Sequence, residues 1–404
     1  MKTILATAYA VNPYKGSEDG MGWHFIGQIA RFQKVIAVTR ENNQPAIEQF
    51  LSENPEVPQQ QVQFIYFDLP YWMRFWKKGS RGALLYFYLW QFFMPYFVKK
   101  QKLSFDIAHN LNFHNDWTPT FLWKLKKPLV WGPVGHHPKI QKAFVAGKQW
   151  WKDRFTWWMK NIFWNLDPAL RRSRNNANLI LAMNTAVANR LKKYQDKTVV
   201  LPSVGTTAVD SSGKTGSDHF NILFVGRIVT LKGVDIVLSA FEKFYQHLKE
   251  EEKSKVTLTL VGTGRQLAWS RAFVEVHNLQ NAVEFIPWID KAELDKYYRQ
   301  ADLFFFPSHE GAGMVVAEAL SYGVPVLCFD NEGPGELAGN KASLQIKSGQ
   351  KYNATVAQFA NALGKLYGDK AYTGQLGQYA KLRFQNHLHW DRKGEVLTEI
   401  YSSL

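Results

Sequence analysis

The chain has 404 residues, 46% of them apolar, enough for two or three domains with cores of their own. Its 49 Lys and Arg against 34 Asp and Glu give a formal charge of +15, which favours anionic partners: nucleotides, phospholipid surfaces or nucleic acid. The lone Cys328 excludes an internal disulfide, and no stretch reaches the roughly 18 uninterrupted apolar residues of a membrane-spanning helix, the nearest, Leu84–Val98, being too short and containing Gln91 and Pro95.

Taken in chain order, Met1-Lys-Thr-Ile-Leu-Ala-Thr-Ala runs straight into Tyr-Ala-Val-Asn-Pro and reads as a strand, Thr3–Val11, rather than a signal peptide. With Cys328 in a strand-like apolar run, a reducing, cytoplasmic compartment is expected. Directly after the strand comes Asn12-Pro-Tyr-Lys-Gly-Ser-Glu-Asp-Gly-Met-Gly-Trp23, where Gly16, Gly20 and Gly22 allow close backbone approach to a ligand. This is not the dinucleotide fingerprint, and Glu18-Asp19 would repel a pyrophosphate laid on it, so a dehydrogenase reading weakens.

Further strands are expected at Val35–Thr39, Gln63–Phe67, Asp106–Leu111, Leu129–Trp131 and Leu179–Met183. Two segments interrupt the pattern. Pro70–Lys102 carries twelve aromatic residues among exclusively positive charges, and Lys148–Arg174 carries five Trp among Lys and Arg. Aromatic–basic interleaving is the pattern of an interfacial membrane segment, so contact with an anionic membrane surface is expected. A helical cover over the sheet with solvated charges is the plainer alternative; binding nucleic acid by stacking is not expected. His109, at the end of Asp106–Leu111, would sit at the carboxyl edge of a first parallel sheet.

Residues Gly205–Asp218 are small and polar and read as a linker. Strands then follow at Ile222–Val225, Val256–Val261, Val283–Ile286, Leu303–Phe306, Val326–Phe329 and Leu344–Ile346. Between them lie helices at Val234–Glu250, Gln266–Asn278, Lys291–Gln300, Met314–Ser321 and Val356–Leu366. The fold class is therefore α/β, with two Rossmann-like parallel-sheet domains. Residues 1–204 form the first domain, 205–218 the linker and 219–385 the second. A terminal helix, 386–404, is a candidate to cross back onto the first.

Two segments of the second domain carry chemistry. In Phe224-Val-Gly-Arg-Ile-Val-Thr-Leu-Lys-Gly233 a strand ends at Gly226, and Arg227 and Lys232 precede a helix, where two cations would neutralise a diphosphate. In Ser308-His-Glu-Gly-Ala-Gly-Met-Val-Val-Ala-Glu318 a strand leads through a glycine loop into a helix, with Glu310 before it and Glu318 inside it. Paired carboxylates at a sheet's carboxyl edge suit polyhydroxylated ligands. Taken alone, Glu310 would merely cap the helix and Glu318 would be a surface residue.

Together these features resemble the retaining glycosyltransferases of family 4, which have the GT-B fold of two Rossmann-like domains facing each other across a cleft. The resemblance rests on Glu310-x₇-Glu318, on strand-Gly226-Arg227-x₄-Lys232-Gly233, and on Gly16-Ser-Glu-Asp-Gly-Met-Gly-Trp23 and Trp131-Gly-Pro-Val-Gly135 of a bacterial subgroup. It implies that Arg227 and Lys232, beside Gly226, bind the donor diphosphate. Glu318 would hold the ribose, and Glu310 with the backbone of Gly311, Ala312, Gly313 and Met314 the transferred sugar. Gly16 would close over the donor, and His109 would bind a sugar hydroxyl near the reacting carbon. The implied donor is a UDP- or GDP-sugar and the implied acceptor a glycan or lipid-linked molecule. The implied location is peripheral, on the inner face of a bacterial plasma membrane. Ala312 stands where the family usually has Phe, and His136-His137 where the subgroup continues with glycines; the two histidines are candidates to contact acceptor or donor, with surface residues in a loop as the plainer alternative. No Asp-x-Asp pair or zinc spacing is present, so no cofactor and no metal are expected. A nucleotide-sugar epimerase of the same fold, and a non-catalytic basic membrane- or nucleic-acid-binding protein, are the rival readings.

Overall fold

The computed structural model describes residues 1–79, 81–111, 115–136, 138–145, 147–209, 218–349 and 351–404. The chain forms two compact units. The N-terminal unit comprises Met1–His137, Phe155–Ser203 and Trp390–Leu404; the C-terminal unit comprises Pro138–Arg154 and Val204–His389.

The N-terminal unit is built on seven parallel strands: β1 (Thr3–Ala8), β2 (Lys34–Thr39), β3 (Gln63–Tyr66), β4 (Ile107–Leu111), β5 (Leu129–Val134), β6 (Leu179–Ala182) and β7 (Thr198–Val200). Their spatial order is β3-β2-β1-β4-β5-β6-β7. β1 and β4 are buried along nearly their whole length, as strands covered on both faces must be. The edge strand β7, only three residues long, was not visible in the sequence.

The C-terminal unit carries six parallel strands: β8 (Phe220–Val225), β9 (Val256–Val261), β10 (Val283–Ile286), β11 (Leu303–Phe305), β12 (Val326–Asp330) and β13 (Ser343–Lys347). They are ordered β10-β9-β8-β11-β12-β13. In each sheet the chain moves outward to one side and then returns to build the other. The reversal falls between β1 and β4, and between β8 and β11.

The division differs in two places from the boundaries expected. Residues 138–154 do not stay with the N-terminal unit. Phe144 packs its ring against His309, Phe329 and Tyr352, with centroids 4.9, 5.4 and 6.4 Å away, and Ile140 and Val145 are buried in the same core. Nor does 205–218 behave as free linker throughout: Thr206 donates its backbone N–H to Leu388 O, 3.1 Å away, inside the C-terminal unit. Residues 210–217 of that stretch lie outside the described residues.

The last helix, Trp390–Ser403, is part of the N-terminal unit. Trp390 is buried, with His24 stacked on it at 5.0 Å and Phe25 edge-on at 5.5 Å. Arg31 pairs with Asp391, and Lys2 Nζ donates to Tyr401 O at 2.8 Å. Tyr401 reaches His109, which lies in the middle of β4 and is fully buried. His109 Nε2 is 2.8 Å from the Gly132 carbonyl, and Nδ1 is 2.6 Å from Tyr401 Oη. A carbonyl only accepts, so Nε2 carries the hydrogen and Nδ1 accepts from the tyrosine.

Burial lowers the His109 pKa from 6.5 to about 4. The unfolded chain therefore takes up this proton first. The stabilisation is complete above pH 6.5 and is lost as pH falls toward about 4. We expect acidification across that window to cost about 3 kcal/mol at this residue. His109→Gln, which cannot titrate, should flatten that part of the pH dependence. Equal losses in both chains, measured by denaturant unfolding at pH 7 and at about pH 4.5, would assign the acid sensitivity elsewhere.

Candidate active site

β8 and β11 are neighbours at the reversal of the C-terminal sheet, so the loops leaving their carboxyl ends emerge side by side. Ligands of open α/β sheets bind at such points. The first loop contains Gly226, Arg227 and Lys232; the second contains Ser308 to Gly313.

The two loops are tied by backbone. The Leu231 carbonyl accepts the His309 N–H at 3.0 Å and the Ser308 hydroxyl at 3.3 Å. Gly233 has φ +73°, and a Cβ there would stand 2.3 Å from the Pro307 carbonyl oxygen. Only glycine permits that approach. Gly226, at φ +149°, turns the chain out of β8.

This stitching brings Lys232 to Glu310. The Lys232 ammonium donates to both carboxylate oxygens, at 2.6 and 2.5 Å. The side chains are 12% and 21% exposed, and the ammonium lies 5.0 Å from the Phe306 ring centroid. Arg227 on the same loop is exposed and makes no ion pair among the described residues. One cation is thus matched by a carboxylate while the second faces solvent.

The second loop is braced from beneath. Ser308 Oγ accepts the Glu310 N–H at 3.3 Å, and Asn331 Nδ2 donates to the Ser308 carbonyl at 2.9 Å. Asn331 Oδ1 accepts the N–H groups of Gly333 and Gly335, each at 3.2 Å. His309 is buried between Phe144 and Phe329, and burial lowers its pKa to about 4. Gly311, Ala312 and Gly313 lead into the helix Met314–Ser321, with Gly313 at its N-cap.

Glu318, inside that helix, is half-buried rather than a freely solvated surface residue. Tyr298 on the helix Lys291–Gln300 donates its hydroxyl to Glu318 Oε2 at 2.9 Å. Burial pushes the Glu318 carboxyl up from its ordinary value. Tyr322 stacks on Tyr298 with centroids 5.3 Å apart.

Two other sequence candidates lie in the N-terminal unit. Gly16 is exposed at the N-cap of the helix Ser17–Ala30. The glycine under steric demand there is Gly20, where a Cβ would stand 2.4 Å from the Lys15 carbonyl oxygen. His109 does not belong to a binding site. It sits mid-strand, is sealed from solvent, and has both ring nitrogens committed to Gly132 and Tyr401, so no nitrogen is left for a sugar hydroxyl. Of His136-His137, His137 lies outside the described residues.

Sequence reasoning missed Gly262-Thr-Gly264. Ile228 N–H donates to the Thr263 carbonyl at 2.9 Å, and Gln266 N–H to the Ile228 carbonyl at 3.0 Å. A Cβ on Gly262 would come within 2.1 Å of the Gly226 carbonyl oxygen, and one on Gly264 within 2.2 Å of that of Ile228. A third loop therefore fixes the first. Two glycines flanking a threonine after an apolar run were the available signal. Among the described residues, no group of three His, Cys, Asp or Glu side chains is placed to hold a metal ion.

Residues 209–383 match the family described as glycosyl transferases group 1. A D-inositol 3-phosphate glycosyltransferase of Arthrobacter is 27% identical over 183 residues, 45% of this chain and 42% of the relative. The chain thus spans less than half the length of that relative. Sucrose-phosphate synthase from Thermosynechococcus elongatus superposes with a TM-score of 0.68 at 20% identity, over 100% of this chain and 99% of that one. Anabaena HepE in complex with UDP superposes with a TM-score of 0.64 at 16% identity over 100% of both chains. These structures share the GT-B fold.

Gly233→Ala should cost about 2–3 kcal/mol, because it adds a left-handed backbone penalty to a clash with Pro307. Chemical unfolding measures this. A change below about 0.5 kcal/mol would show that the two loops are not locked together there.

Proposed function

We propose the following activity from the match of residues 209–383 to the family described as glycosyl transferases group 1. It transfers a hexose-type sugar from a UDP- or GDP-sugar to a lipid-linked or polysaccharide acceptor, retaining the anomeric configuration. The reading is carried by the Lys232–Glu310 pair at the β8/β11 reversal. An entering diphosphate competes with Glu310 for the Lys232 ammonium and recruits the exposed Arg227. Glu310, once released, accepts hydrogen bonds from hydroxyls of the sugar, with the Gly311–Met314 backbone beside it. Glu318 takes the ribose, exchanging its bond from Tyr298. With two cations and a helix terminus facing the leaving group, transfer proceeds without a metal. The UDP bound in the HepE structure supports a nucleotide donor.

Lys232→Ala and Glu310→Ala should each lower transfer by about 100-fold or more. A nucleotide-sugar at 100 times its dissociation constant should stabilise the wild-type chain by about 2.7 kcal/mol. A thermal-shift screen of UDP-, GDP-, ADP- and dTDP-sugars followed by turnover assays tests both. Full activity in both variants would sink the site assignment.

Membrane contact at a cytoplasmic leaflet belongs to the same proposal. Among the described residues, no helix is long and apolar enough to cross a membrane. Part of the aromatic segments is core: Tyr86, Phe87, Trp90 and Met94 are buried. The rest is not. Trp72 is 73% exposed, Trp151 68% and Phe155 62%, and Tyr71, Phe75 and Trp158 are exposed beside them. Phe155 and Trp158 follow Trp151 at helical spacing in Gly147–Leu166. Such side chains beside cations suit a headgroup layer. Trp72→Ala/Phe75→Ala should weaken binding to phosphatidylglycerol vesicles by about 10-fold, with little effect on phosphatidylcholine vesicles. Unchanged sedimentation with the anionic vesicles would remove the membrane from the proposal.

A further inference from the structure

The N-terminal unit holds a second gathering of charge, away from His109. Asp116 lies beyond the end of β4 and is fully buried. His136 lies two residues beyond β5; its Nδ1 is 3.2 Å from Asp116 Oδ1 and 3.0 Å from Oδ2. Arg190 ends the helix Thr185–Arg190 that follows β6, and its Nε is 2.6 Å from Asp116 Oδ2. Three adjacent parallel strands therefore deliver an acid, a histidine and an arginine to one carboxyl edge. β4 borders the reversal of that sheet, the position where such folds take ligands.

The arrangement is anchored on its far side. Arg190 donates to Asn161 Oδ1 at 2.8 Å, and its guanidinium lies 4.3 Å from the Trp164 ring centroid. Arg174 lies 4.2 Å from the same ring and donates to the Trp164 carbonyl at 3.0 Å. Arg190 is thus held by groups other than Asp116, and Asp116 is held by Arg190.

A carboxylate in an ion pair only accepts hydrogen bonds, so His136 must carry its hydrogen on Nδ1. In the neutral ring Nε2 then presents a lone pair, and among the described residues no hydrogen-bond partner is shown for that nitrogen. The side chain is 16% exposed. An imidazole with one nitrogen fixed by a buried carboxylate and the other left bare is oriented to receive a hydroxyl. His109 makes the contrast: both of its nitrogens are spent.

We propose that His136 Nε2 accepts a hydrogen bond from a hydroxyl of the glycosyl acceptor. Asp116 acts as a positioning residue that fixes the tautomer, and Arg190 holds Asp116. The inference rests on the glycosyltransferase reading above and adds to it the place where the acceptor is held.

The test uses the full chain, the nucleotide-sugar identified by thermal shift, and the lipid and lipid-linked glycan extract of the producing cell with this gene deleted. Sugar incorporation into the extract, nucleotide release to water without extract, and the donor-induced melting shift are measured for wild type, His136→Ala, His136→Gln and Asp116→Asn. His136→Ala should lower incorporation at limiting extract by about 30-fold, while release to water and the melting shift stay at wild-type values. His136→Gln, which keeps an acceptor atom near the same place, should recover part of the loss, and Asp116→Asn should fall between. Wild-type incorporation by His136→Ala overturns the proposal. So does an equal loss of all three readouts in both His136 variants, which marks a structural role. A wild-type chain that releases no nucleotide and incorporates no sugar overturns instead the glycosyltransferase reading on which the proposal stands.

Discussion

Two opposite charges, the lysine side chain 12% and the glutamate side chain 21% exposed, meet where the C-terminal sheet reverses direction. Taking either out of water alone would be expensive, and their mutual attraction offsets that only with good geometry. The geometry comes from backbone rather than from the pair itself. The Leu231 carbonyl accepts from the second loop, Gly233 presses against Pro307, and Gly262 and Gly264 press against the first loop. The loops that carry Lys232 and Glu310 are consequently held side by side, within reach of the ion pair. Such a pair contributes little to stability but keeps two strongly solvating groups ready in a half-buried setting.

The N-terminal unit uses buried polarity in two ways, and position along a strand separates them. His109 lies inside β4, where both faces are covered, so burial keeps it neutral and its hydrogen bonds close on the protein. Asp116 and His136 lie past the ends of β4 and β5, where the chain leaves the sheet and a ring nitrogen can remain unfilled. The same residue type is cement in one place and a receptor in the other. Tyr401, delivered by the last helix, completes the first case.

The strands with long apolar runs, the helix after Gly233 and the Glu310–Glu318 spacing were legible because each is local: period, glycine and charge all sit within a dozen residues. What depended on distant packing was not. His109 reads as a strand-end residue until Tyr401, far away in sequence, and Gly132 are seen to occupy its nitrogens. Glu318 reads as solvent-facing until Tyr298 covers it. β7 is too short to show a pattern, and residues 138–154 contain no signal that Phe144 would enter the core around Phe329. The role of His136 was open in the sequence because its partner, Asp116, lies in a different loop.

The backbone passes from one unit to the other four times, at 137/138, 154/155, 203/204 and 389/390. Three of those passages bracket pieces that finish a core begun elsewhere. A fragment cut at 204 and 389 would leave vacant the volume that Ile140, Phe144 and Val145 occupy around Phe329, and a fragment ending at 203 would lose Tyr401 from beside His109. Neither unit is therefore encoded by one contiguous stretch of the chain, and a cut at any one of these three passages parts a core from a segment that completes it.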